Sequence, residues 1–232
     1  MRKLVVALFS SWLLALPASA ADEGFEEFLE KPKPEAPEHG PSFGLRTGVA
    51  FPFGKVVSGG GKVSDFVGSA IPIQVDAGWR FNRNIYAGGF FQYAFGSLGD
   101  PTSRVCASGG LSCSATQLRF GVDLVWTILP RATIIPWLGI GAGYEITKVN
   151  GSLQAASADV FTAKGLEFAH LSAGADFRPV SWLRVGPFAT VTVGQYSSLE
   201  GIDANGNVST IPIANKGTHG WFQLGLKGTV DL

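Results

Sequence analysis

An all-β fold, an eight-stranded antiparallel up-and-down transmembrane β-barrel, is predicted by three features of the sequence. Between Ser42 and Leu232, eight segments alternate apolar and polar residues with a period of two. The connections between them alternate short and long. Aromatic residues gather at the two ends of the apolar rows.

The N-terminus sets the compartment. Arg2 and Lys3 precede an apolar run from Leu4 to Leu16, then Pro17 and the small triplet Ala18-Ser19-Ala20. A basic start, a short apolar run and small residues at its end make an export signal over 1–20, cleaved after Ala20. The run is too short for a permanent membrane helix, which needs about 20 apolar residues, and no later stretch reaches that length. Residues 21–41 are acidic and proline-rich, with Lys31-Pro32-Lys33-Pro34-Glu35-Ala36-Pro37 at their centre. Prolines at that density favour an extended periplasmic tail, disordered, or partly helical around Phe25, Phe28 and Leu29.

Loss of Arg2 and Lys3 leaves 16 basic residues against 18 acidic ones. A chain so close to neutral is not expected to bind nucleic acid. With 31 Gly, 17 Phe, 6 Trp and only 16% charged residues, glycine and aromatics stand where a soluble protein would carry charge.

The barrel is assigned to 42–232, strand by strand. In the first segment Phe43, Leu45, Thr47, Val49, Phe51 and Phe53 share one face, and Gly44, Arg46, Gly48 and Ala50 the other. The second runs from Ile71 to Phe81, with Gln74, Asp76, Gly78 and Arg80 on its polar side. The third spans Ile85 to Phe95. The fourth sets Leu118, Phe120, Val122, Leu124, Trp126 and Ile128 against Gln117, Arg119, Gly121 and Asp123. The fifth, Ile134 to Ile146, puts Glu145 among glycines opposite Leu138, Ile140, Ala142 and Tyr144. The sixth, Ala169 to Phe177, has His170, Ser172, Asp176 and Arg178 on its polar side. Leu183 to Val193 and Phe222 to Leu232 complete the set. Pro52, Pro72 and Pro136 fall near strand ends, whereas Pro187 lies further in and is assigned a bulge.

Short connections fall at 81–84, 129–133 and 179–182, and long ones at about 55–69, 97–115, 148–164 and 197–218. Tight periplasmic turns opposite longer external loops are the asymmetry of bacterial outer-membrane barrels. A soluble barrel also alternates, but with its apolar face inside. Here the polar face carries Arg46, Asp76, Arg80, Arg119, Asp123, Glu145, Asp176, Arg178, Arg184, Lys227 and Asp231. Six basic and five acidic groups nearly cancel, as expected of charges that pair inside a narrow lumen, where an unpaired charge is costly. The aromatics supply an independent check. Phe43, Trp79, Phe81, Trp126 and Phe177 fall at the short-turn rim, and Phe51, Phe53, Phe91, Tyr93, Phe95, Phe120, Tyr144 and Phe222 at the other, as two interfacial girdles. Cys106 and Cys113, both in one polar loop of an exported protein, are expected to form a disulfide.

Taken over Ser42–Leu232, this layout resembles the small eight-stranded outer-membrane barrels of the OmpA and OmpX type, or the generic outer-membrane β-barrel domain. The ending Phe222-Gln-Leu224-Gly-Leu226-Lys-Gly228-Thr-Val230-Asp-Leu232 looks like the terminal strand signal of such proteins, although it closes on Leu232 rather than an aromatic residue. The resemblance implies the bacterial outer membrane as location, lipid and lipopolysaccharide as surroundings, and the barrel-assembly machinery as a partner in biogenesis.

Candidate chemistry is sparse. His170 and Ser172 resemble the His-x-Ser dyad of outer-membrane lipid A deacylases, but both face the lumen and Ala173 stands where that family has asparagine. They read as a polar lumen pair. Asp203-Ala-Asn205-Gly206-Asn207 reads as a turn rather than a calcium loop, because no closing glutamate follows. Gly59-Gly60-Gly61-Lys62 reads as a flexible external loop, with no helix after it to make a phosphate loop. No metal site and no cofactor is expected. The expected function is that of a non-enzymatic surface protein with a plugged polar lumen and external loops that meet an extracellular ligand. A narrow channel or transporter for small solutes is the alternative, and a lipid A-modifying esterase ranks below both.

Overall fold

The computed structural model describes residues 38–108, 112–153, 156–202 and 208–232. The predicted export signal, the tail as far as residue 37 and the Asn205-Gly206 turn lie outside the described residues. Nine strands are present among the described residues: β1 (Gly40–Gly54), β2 (Val67–Arg80), β3 (Ile85–Leu98), β4 (Ser112–Thr127), β5 (Ile135–Leu153), β6 (Ala156–Val180), β7 (Leu183–Ile202), β8 (Val208–Pro212) and β9 (Thr218–Asp231). Two helices, α1 (Val63–Phe66) and α2 (Asp100–Ser108), lie in the first two long connections. Every pairing is antiparallel, and β1 bonds to both β2 and β9, β7 to both β6 and β9. Eight strands therefore close into a barrel, while β8 only extends the far end of β7.

Closure follows from the alternation. Strands with one apolar and one polar face bury the polar one by curling into a cylinder, which also removes both sheet edges. Leu124, Ile140 and Val191 are 50%, 51% and 40% exposed on the outside, whereas Arg119, Asp123 and Glu145 are 2%, 6% and 2% exposed within. Both aromatic sets stand on the outer face, with Phe43, Trp79 and Trp126 at one end and Phe51, Phe53 and Phe95 at the other.

The long connections are more ordered than their composition suggests. The stretch 148–164 has the composition of a loop, yet β5 and β6 continue through most of it as a hairpin. Likewise β7 runs on to Ile202 and pairs with β8 inside the stretch 197–218. Beyond the apolar band the outward row turns polar, with Lys148 and Asn150, while the inward row mixes Thr147 with buried Val149, so the strands lose the alternation by which they are recognised. A one-turn helix, α1, does follow the Gly59-Gly60-Gly61 run, contrary to expectation. It has four residues, and the Asp65 carboxylate accepts the Lys62 N–H at 2.8 Å. Pro187 sits at no bulge. It pairs in register with Leu226 of β9, and the ladder lapses only on the β6 side, opposite Ala175, where its missing N–H would have bonded.

A register shift does occur in β6. Between Glu167 and Ala169 one residue, Phe168, is extra relative to β7, and β5 shows the matching shift between Gly141 and Gly143. Phe168 points outward, and Glu167 and His170, three apart, both point inward. A bulge re-aims side chains in this way.

Candidate functional site

The lumen holds layers of charged and hydrogen-bonding side chains, beginning at the short-turn end. Asp231 of β9 accepts from the Ser42 hydroxyl at 2.7 Å, from Arg80 at 2.8 Å and from Arg184 at 2.8 Å. Asp176 of β6 lies 3.1 Å from the Lys227 ammonium and 3.5 Å from Arg184, and accepts the Trp137 indole N–H at 2.9 Å. The Lys227 ammonium sits 3.7 Å from the Trp137 ring centre, a cation–π contact. A cavity of about 20 Å³, bounded by Arg46, Asp76, Arg80, Tyr86, Arg184 and Lys227, has room for about one water molecule.

In the middle layer Arg46 bridges Asp76 at 2.8 Å and Asp123 at 3.2 Å, while the Gln74 amide donates to Asp76 at 2.7 Å. Arg119 grips Glu167 with two parallel bonds of 2.6 and 2.8 Å and donates to Gln92 at 3.1 Å. A planar guanidinium matches a carboxylate in this two-bond geometry. The ring nitrogens of His170 contact Asp123 and Glu167. Gly141 makes this layer fit, because a Cβ there would meet the His170 ring. On the next strand a Cβ at Gly174 would lie 2.5 Å from the Trp137 ring.

Glu145 heads the upper layer without an arginine or lysine at ion-pair distance among the described residues. Its Oε1 accepts from Tyr196 at 2.5 Å, Trp221 at 2.9 Å, Thr147 at 2.9 Å and Gln117 at 3.1 Å, and its Oε2 faces His219 at 3.4 Å. Hydrogen bonds to the carboxylate stand in for a countercharge. Above it the lumen turns apolar. Ala50, Ala70, Ala94, Ala115 and Ala163, from five strands, meet Val56, Val63 and Ile213 from the connections. A small apolar core thus lies at the long-loop end.

Of the eleven charged residues read from the sequence, ten are buried in this interior. Arg178 is the exception. It lies half-buried at the short-turn rim and donates to the Pro130 carbonyl at 3.4 Å. Sequence reasoning missed Glu167, whose parity the bulge reverses, and two inward tryptophans, Trp137 and Trp221. The tryptophans were legible, since Trp137 shares parity with Glu145 and Trp221 with Lys227. Ser172 shares a 3.0 Å hydrogen bond with Thr190 rather than with His170, so the two do not form a nucleophile–base pair. Cys106 and Cys113 are joined in a disulfide that ties α2 to the start of β4.

Several solved structures of bacterial surface and outer membrane proteins align along most of the chain. Neisserial surface protein A aligns with a TM-score of 0.49 at 11% identity, over 84% of this chain and 100% of that one. A major outer membrane protein from Thermus thermophilus aligns at 0.48 and 13%, over 82% and 99%. The outer membrane protein OprG from Pseudomonas aeruginosa aligns at 0.43 and 11%, over 86% and 99%. No family model and no curated protein matches the chain.

Proposed function

We propose that this chain is a non-enzymatic protein of the bacterial outer membrane, with a closed lumen and external loops that contact a ligand outside the cell. One observation carries the reading: the barrel is apolar outside and ionic inside. Only a hydrocarbon surround makes that arrangement favourable, because in water the outer rows would form one continuous exposed apolar band. The long connections are external and the short turns periplasmic, with lipid and lipopolysaccharide around the band. The C-terminal strand is the segment read by the barrel-assembly machinery.

Two features support a closed lumen. Burial of ten charged side chains within the lumen speaks against an aqueous bore at their level, and the apolar core at the external mouth is consistent with a second barrier. Recognition then falls to the external connections, held on a rigid scaffold. The engagement of His170 by Asp123 and Glu167, away from Ser172, favours a binding role over ester hydrolysis.

Membrane fractionation followed by planar-bilayer recording tests this. The protein is expected in the outer-membrane fraction, migrating differently on a gel before and after boiling, with no single-channel steps. Reproducible conductance from the purified barrel would replace the closed-lumen reading with a channel.

A further inference from the structure

Where β1 leaves the apolar band, three lysines meet on one outward face. Phe51 and Phe53 end the outer row of β1, Lys55 continues it, and the next residue, Val56, turns inward to the apolar core. Lys62 lies directly across an antiparallel bridge from Lys55, and Lys216 forms a bridge to Val57. The Lys55 N–H donates to the Thr218 carbonyl at 2.9 Å, which sets Lys216 diagonally across from Lys55. Such geometry puts the first pair of Cβ atoms about 5 Å apart and the diagonal pair about 7–8 Å apart. All three side chains are exposed.

Like charges directly opposite each other across a ladder are destabilising, and two other lysines of this molecule do have an acid partner. Lys164 lies 2.7 Å from Glu200, and Lys227 lies 3.1 Å from Asp176. Among the described residues, none of these three ammonium groups has a carboxylate at ion-pair distance. The adjacent Asp65 carboxylate is turned to the Lys62 backbone instead.

We propose that Lys55, Lys62 and Lys216 form a binding site for the phosphate-bearing headgroup of an outer-leaflet lipid. An anion held among them relieves the repulsion between Lys55 and Lys62. The site stands just beyond the aromatic ring, at the depth of the headgroups, and faces the surrounding lipid rather than the loop tips. The inference rests on the outer-membrane reading and adds a specific lipid contact to it.

The test uses the purified full-length protein in detergent micelles and reads the temperature of half-conversion from the compact to the boiled gel form. Purified lipopolysaccharide, the same lipid after removal of its phosphates, and inorganic phosphate are added at matched concentrations. Lipopolysaccharide is expected to raise the half-conversion temperature of the wild type and of the Lys55→Arg/Lys62→Arg/Lys216→Arg variant, and to lose most of that effect on the Lys55→Gln/Lys62→Gln/Lys216→Gln variant. Neither the dephosphorylated lipid nor inorganic phosphate should reproduce it. No shift in the wild type, a full shift in the glutamine variant, or an equal shift with dephosphorylated lipid overturns the site, and a full shift with inorganic phosphate reassigns it to free anions. Should the glutamine variant fail to fold, the two lipids on the wild type decide alone. A wild type that stays in solution without detergent removes the membrane reading itself, whereas a detergent-dependent barrel indifferent to lipid phosphate removes only the lysine site.

Discussion

Arg119 and Glu167 show how single residues hold the inside of the barrel. Both are buried, and each is the main countercharge of the other. Removing one partner of such a pair costs about 3–5 kcal/mol, because the survivor is left charged and unpaired. Arg119→Met should therefore lower stability by about that much in urea titrations followed by tryptophan fluorescence. The double variant Arg119→Met/Glu167→Leu should recover more than half of the loss, since contacting residues are not additive. Glu145 makes a different prediction, because four donors converge on its Oε1. Glu145→Gln keeps a carbonyl oxygen there and should cost less than Glu145→Ala, which strands buried donors at about 1–3 kcal/mol each. The same titration ranks the two. Parity along each strand made ten of the eleven charges legible as interior residues. It gave no hint of who meets whom, since partners such as Ser42 and Asp231 are 189 positions apart.

At the scale of elements, the sequence is readable only where each strand face meets a different medium. The band-spanning parts of β1 to β5 were legible to within a few residues for this reason. The hairpin of β5 and β6 beyond the band was not, because there the outward row turns polar at Lys148 and Asn150 while the inward row carries buried Val149, so the apolar face changes sides. The bulge in β6 escaped because strict alternation holds on either side of it, and only the extra residue, Phe168, changes the phase. Deleting Phe168 should remove that phase change and drive either Glu167 or His170 outward. The deletion is expected to abolish the compact gel form, whereas Phe168→Leu should leave it intact. The disulfide acts further out. It joins α2, in a connection outside the ring of strands, to the start of β4, so Cys106→Ser/Cys113→Ser should leave the compact gel form of the barrel intact. The freed α2 segment should then be cleaved faster by added protease on intact cells.

For the whole molecule, the governing quantity is the match between a closed strand cylinder and its surroundings. Polar groups pair across the lumen, the backbone pairs around the ring, and the outer surface is left to hydrocarbon. A charge set into that surface should be penalised according to depth. Leu124→Arg is expected to cost about 2–4 kcal/mol if the position lies near the bilayer midplane, measured by reversible unfolding in vesicles. The most direct measurement places spin labels on cysteines introduced singly at Leu124, Ile140 and Val191, in the Cys106→Ser/Cys113→Ser background. Their collisions with oxygen, which concentrates in hydrocarbon, are compared with those of a water-soluble nickel chelate after reconstitution in vesicles. The account predicts frequent oxygen collisions and almost none with nickel at all three positions. Frequent nickel collisions there would mean that the apolar face meets water, and would contradict it.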